Sequence, residues 1–252
     1  MTRSEPAFYA QHTATSDPGR HAALFDCIAP DLRTLPNLIS NLVVHPGLAS
    51  ARGITLGPHQ QRDRHSRKVE VLLDRLIERD RSPLQEARSI ECAFAGTCRD
   101  YAMLGIAILR HHGVPARLRG GLACYFFDGK PEDHWVAEVW RDEAWHLVDF
   151  ELGDEALTAF KVSFDPQDVP RDAFITSPEA WLGARRGELD PDEMGVSMIG
   201  ATGQWFAAAS IARDAAAIAG IELLPWEYWN ETNAYAAAPE ALQHRLGDLD
   251  RL

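Results

Sequence analysis

The chain has 252 residues, 46% of them hydrophobic and 25% charged, which is enough for one large core or two modest ones and rules out disordered and fibrous classes. Its formal net charge of -12 leaves no basic surplus to release counterions from a phosphate backbone or to dock on an anionic bilayer, which argues against nucleic acid and membranes as partners. The four cysteines, Cys27, Cys92, Cys98 and Cys124, are too few for a disulfide scaffold and lack CxxC or zinc-like spacing, so reduced thiols are expected, with no metal and no cofactor.

The N-terminal stretch lacks the continuous apolar core of a signal peptide, and no run nears the roughly 20 apolar residues that span a bilayer, so a cytoplasmic location is expected. Residues 1–65 mix apolar clusters such as LPNLISNLVV with DPG, HPG and LGP breakers, which predicts short helices joined by tight turns. In RKVEVLLDRLIERD, Val69, Leu72, Leu73 and Leu76 form one stripe, the pattern of an amphipathic helix. CRDYAMLGIAILRHHG is apolar nearly all round and stops at Gly113, which predicts a buried central helix against a sheet. ARLRGGLACYFF, DHWVAEVW and AWHLVDF read as consecutive strands, so the class is α+β and not alternating βαβ. Beyond 152, a proline-punctuated loop precedes two helical stretches, SPEAWLGARRG and GQWFAAASIARDAAAIAG. One domain over 1–252 is expected, with a helical part at 1–65, a core at 66–152 and a mainly helical part at 153–252.

Two local patterns carry chemistry. With Thr97 as N-cap, TCRD fits a capping box in which Asp100 replaces the usual Glu, and Cys98 becomes the first helical residue. There the unpaired backbone N–H groups and the helix dipole favour a thiolate, which suits a nucleophile, although a buried filler is the plain alternative. On the strand starting at His134, the residues His134, Val136, Glu138 and Trp140 share one face. If Arg141 and Asp142 form a two-residue hairpin loop, Asp149 faces His134 directly. A four-residue loop leaves the two diagonal on one face, and a three-residue loop separates them. A carboxylate beside an imidazole is what the base for a cysteine nucleophile requires.

The order Cys98, His134, Asp149, set in GTCRDYAMLGIAILRHHGVPARLRGGLACYF, DHWVAEVW and WHLVDFEL, resembles the transglutaminase-like superfamily over roughly residues 85–152. FDPQDVPRDAF, EAWLGARRGELDP and ELLPWEYW resemble the C-terminal part of a bacterial branch of it. The resemblance implies a papain-like, transglutaminase-like α+β core, a central buried helix on an antiparallel sheet with helical additions at both ends, and acyl transfer through a thioester. Cys98 would be the nucleophile, His134 the base and Asp149 its orienting partner. The donor would be a small-molecule or peptide acyl compound, and an amine or water the acceptor, making the chain an acyltransferase or a hydrolase. A non-catalytic binding module on the same fold is the other reading. The tryptophan that precedes the cysteine in animal members is missing here, since the first is Trp135, and no calcium loop is evident. Gln11, Asn41, His45 and Gln60 are the alternatives for a second oxyanion donor. Glu138 and Trp135 are candidate substrate contacts, although Glu138 could instead brace Arg117 or Arg119. His111 and His112 sit at a helix C-terminus and need no metal. Trp205, Phe206, Trp226, Tyr228 and Trp229 are candidates for a pocket wall or the core.

Overall fold

The computed structural model describes residues 5–127 and 130–227 and is α+β. Its residues divide into one unit within Met1–Leu118 and Val136–Asp168 and a second within Arg119–Trp135 and Val169–Leu252. Tyr228 and Trp229 lie outside the described residues.

The first unit opens with short helices broken at the expected turns: α1 (Glu5–Tyr9), α2 (Leu35–Leu42), α3 (Pro46–Ala51) and α4 (Pro58–Gln61). Proline at the first turn of each of the last three costs nothing there, because that N–H has no intrahelical partner. Between α2 and α3, β1 (Val43–Val44) pairs in parallel with β2 (Phe94–Ala95), a contact too short to leave a periodic signal in the sequence. Helix α5 (Val69–Arg79) buries the predicted stripe of Val69, Leu72, Leu73 and Leu76, each contributing about 1.5 to 3 kcal/mol.

Helix α6 (Cys98–His111) buries every residue from Cys98 to Arg110. Its charged residues are tolerated because each is bonded. Arg99 Nη1 donates to Asp100 Oδ1 at 3.1 Å and Nη2 to the Arg67 carbonyl at 2.9 Å, while Arg110 Nε donates to the Ala116 carbonyl at 2.9 Å. Gly113 ends the helix with φ of +74°, a conformation that glycine adopts without a Cβ penalty. Within α6, Gly105 lets the Phe150 ring approach so closely that a Cβ would meet it at 2.4 Å.

Strands β3 (Ala116–Ala123) and β4 (Glu132–Arg141) each run from one unit into the other along the chain, and β5 (Ala144–Val148) follows, ahead of α7 (Asp154–Ala159). The second unit adds β6 (Phe174–Thr176), α8 (Ser177–Arg185), β7 (Gly195–Val196), β8 (Ala201–Thr202) and α9 (Gln204–Ile218). The main sheet has the order β5-β4-β3-β6, with β4–β5 and β3–β6 antiparallel. The mainly helical C-terminal part thus also supplies an edge strand, which three residues cannot announce by alternation. In this unit Leu122, Trp181, Met194, Ala208 and Ile211 form a core that Trp205 packs against.

The β4–β5 turn is Asp142-Glu143, one residue beyond the Arg141-Asp142 placement. Both residues have positive φ, 49° and 61°, as a type I′ hairpin requires. Neither is glycine or asparagine, so the local turn signal was weak. Arg141 pairs with Ala144 and Ala137 with Val148, and one further step sets Asp149 across from Val136. Asp149 therefore has the parity of the β4 face that carries Val136 and Glu138.

Candidate active site

Cys98 is the first residue of α6, as predicted, and is 8% exposed. Thr97 has the extended backbone of an N-cap, and its N–H donates to Asp100 Oδ2 at 2.8 Å, the side-chain arm of the capping box. Burial raises the Asp100 carboxyl above its ordinary range, while Arg99 and the Thr97 N–H oppose that shift.

The segment that delivers Cys98 to the helix start is held by a buried polar frame. Asp63, fully buried, accepts from Arg79 Nη1 and Nη2 at 2.7 Å each, from Arg75 Nη1 at 3.0 Å and from the Ala95 N–H at 3.0 Å. Arg79 Nη1 also donates to the Ala93 carbonyl at 2.8 Å. Gln60 Nε2 donates to the Ile90 and Ala93 carbonyls at 2.7 and 3.1 Å. Residues 90–95 thus find their hydrogen bonds in side chains from α4, α5 and the turn at Asp63, in place of a wide sheet. No motif marked this frame, because its members are scattered over more than thirty residues of sequence.

Among the oxyanion candidates, Gln60 directs its amide N–H groups to those two carbonyls. Gln11 is exposed. Asn41 and His45 line a cavity of about 220 Å³ in the first unit, and the His45 Nδ1 accepts from the Gly47 N–H at 3.1 Å. The same cavity is lined by Arg52, Tyr101 and Glu151, with Val43, Leu48 and Ile90 as apolar wall. Tyr101, fully buried, donates its hydroxyl proton to the Val43 carbonyl at 2.8 Å, and burial pushes its pKa well above the ordinary value.

Asp149 is 1% exposed; its N–H donates to the Pro166 carbonyl, and its Oδ1 accepts from the Glu151 N–H, both at 2.9 Å. That second bond closes a tight turn that presents Glu151, whose carboxylate oxygen lies within 4.8 Å of Cys98 Sγ. Sequence reasoning passed over Glu151. The signal was available, since it stands two residues beyond Asp149.

Glu138 is buried, and its Oε2 accepts from Arg117 Nε at 2.7 Å; the Arg117 guanidinium lies 4.1 Å over the Trp145 ring. Arg119 instead makes a bidentate pair with the buried Asp214 at 3.1 and 3.0 Å. His134, in the second unit, is buried among aromatic edges, with Phe126 at 4.9 Å, Tyr125 at 5.9 Å and Phe174 at 6.4 Å between ring centroids. Trp135 is buried and packs over Gly120, where a Cβ would meet its ring at 3.1 Å. His111 bonds Asp26 and His112 bonds the Phe25 carbonyl, so both imidazoles have protein partners. All four cysteines are free thiols, and among the described residues no helix is long and apolar enough to cross a membrane.

Cys98 thus opens a buried helix at its capped start, and antiparallel strands follow it in the chain. Residues 49–150 match the model of the transglutaminase-like superfamily. No curated protein matches the chain. A crystal structure from Cytophaga hutchinsonii bearing the provisional name of a cysteine protease is similar over 69% of this chain, with 18% identity and a TM-score of 0.41. The chain spans 46% of that structure's length.

Proposed function

We propose that the chain is a cysteine acyl enzyme in which Cys98, His134 and Asp149 act as nucleophile, base and orienting carboxylate. The observation that carries this reading is Cys98 at the first position of the buried, capped helix α6, inside the stretch that matches the superfamily. Support for the partners comes from strand parity. His134 stands two residues before Val136 on β4, and Asp149 is one register step across from Val136.

In this mechanism the Cys98 sulfur attacks an amide, ester or thioester carbonyl carbon while His134 takes the thiol proton. The S–C bond forms, the bond to the leaving group breaks, and His134 returns the proton to that group. An amine or water then attacks the thioester. Asp149 holds the imidazole tautomer and stabilises the imidazolium. The Cys98 backbone N–H, at the helix start, is one oxyanion donor, and loss of one such donor costs about 10² to 10³ in rate. Asn41 and His45, on the cavity that Tyr101 also lines, are the remaining candidates for the other.

The test is the rate of Cys98 alkylation by iodoacetamide against pH, read by peptide mass spectrometry in wild type and His134→Ala. Rapid labelling below pH 8 that collapses in the variant is expected. Labelling no faster than at Cys27 or Cys124, and indifferent to His134, would leave a binding module on an enzyme fold.

A further inference from the structure

Within the second unit, α8, α9 and β3 enclose a small cavity of about 10 Å³, at the lower end of the roughly 10 to 15 Å³ that one water needs. Leu122, Met194 and Phe206 give it apolar walls. Two hydroxyls also line it: Ser177, the first residue of α8, is 3% exposed, and Ser210, in α9, is 8% exposed.

The hydrogen bonds of these two serines are incomplete within the protein. Ser177 Oγ is buried and bonds no protein group. Ser210 Oγ accepts from Arg213 Nη2 at 2.8 Å. A hydroxyl carries one proton and two lone pairs, so that bond leaves the Ser210 proton still to be placed. The two hydroxyls do not bond each other, since Ser177 Oγ has no protein partner. A buried hydroxyl left in this state has lost its hydration without replacing it.

We propose that this cavity binds one water molecule, which accepts from the Ser210 O–H and donates to Ser177 Oγ, clasping α8 to α9. A wholly apolar cavity of this size stays dry, whereas the two hydroxyls supply the two polar partners that a buried water requires at the least. A cation is disfavoured by the Arg213 guanidinium, which bonds the same Ser210 oxygen, and the size leaves no room for a larger ligand. The clasp continues inward. Arg213 lies 5.1 Å from the centroid of the Phe206 ring that walls the cavity, and its Nη2 is 3.9 Å from Asp133 Oδ1, on β4 beside His134. The water is therefore the outer end of a buried polar chain that runs from α8 through Ser210 and Arg213 to β4, and it is bound whatever chemistry Cys98 performs.

The experiment is a crystal structure of the full chain, at a resolution that orders single waters, in wild type and Ser177→Ala. Wild type should show one spherical density peak about 3 Å or less from both Ser177 Oγ and Ser210 Oγ, and the peak should be lost in the variant. An empty cavity in wild type overturns the inference. So does a peak that persists at full occupancy in Ser177→Ala, because the site would then not depend on the hydroxyl. Should the variant fail to fold, nuclear Overhauser contacts from water to the Ala180 and Ala207 methyls, which also line the cavity, decide the matter in wild type alone. Contacts from a long-lived water at both methyls are expected, and their absence overturns the inference.

Discussion

A Glu151 carboxylate oxygen lies within 4.8 Å of the Cys98 sulfur, so the thiol at the start of α6 has an acid for a neighbour as well as a helix dipole. The two influences oppose each other: the dipole favours the thiolate and the carboxylate disfavours it. At about 4 Å a like-charge pair costs about 1 kcal/mol in bulk water and about 4 kcal/mol at an effective dielectric near 20. Glu151→Gln should therefore speed alkylation of Cys98 by neutral iodoacetamide at pH 7 by about fivefold or more. A slower iodoacetamide reaction would remove the like-charge argument.

Asp63 is the centre of the frame behind the segment that leads to Cys98, holding Arg75, Arg79 and the Ala95 N–H with a fully buried carboxylate. Breaking a buried pair from one side costs about 3 to 5 kcal/mol, because the remaining charge keeps its desolvation without its partner. Asp63→Ala should show that loss in urea unfolding, together with slower Cys98 alkylation in the protein that remains folded. A loss below about 1 kcal/mol would mean that the frame contributes little.

Gly105 sits where the Phe150 ring occupies the space of a Cβ. Alanine improves intrinsic helix propensity by about 1 kcal/mol, but a 2.4 Å approach to an aromatic ring in a buried helix forces the backbone or the ring to move. Overpacking should win. Gly105→Ala is expected to lower stability by about 1 to 3 kcal/mol, and the double variant with Phe150→Leu to recover part of it. A more stable single variant in thermal melts would refute the close contact.

Burial holds the His12 imidazole below its ordinary pKa, with Asp17 opposing and Arg110 and His111 adding to the shift. The unfolded chain then takes up the proton first as pH falls below about 6.5, so the contribution to stability is complete above that value and is lost on acidification. His12→Asn should lose less of its urea midpoint between pH 7 and pH 5 than wild type does. Equal losses would show that the acid sensitivity has another source.

The parts of the fold legible in the sequence are those whose determinants lie within a few residues of one another. The α5 stripe, the Thr97 cap with Asp100 and the Gly113 stop are all read from spacings of a helical turn, and all three are found. The hairpin was legible as a hairpin but not to the residue. Its turn is Asp142-Glu143, two residues that adopt positive φ without the usual glycine, and the turn moved by one position.

By itself the sequence determined the α+β order, the buried helix and the cysteine at its capped start, because periodicity, capping and glycine stops act through short-range backbone geometry. Only the tertiary structure decided that Asp63 holds the segment before Cys98, that Phe150 fills the space above Gly105, and that Glu151 reaches the sulfur. Each of those pairs is separated by more than thirty residues and joined by packing, which depends on where the chain returns and leaves no pattern in the residues themselves.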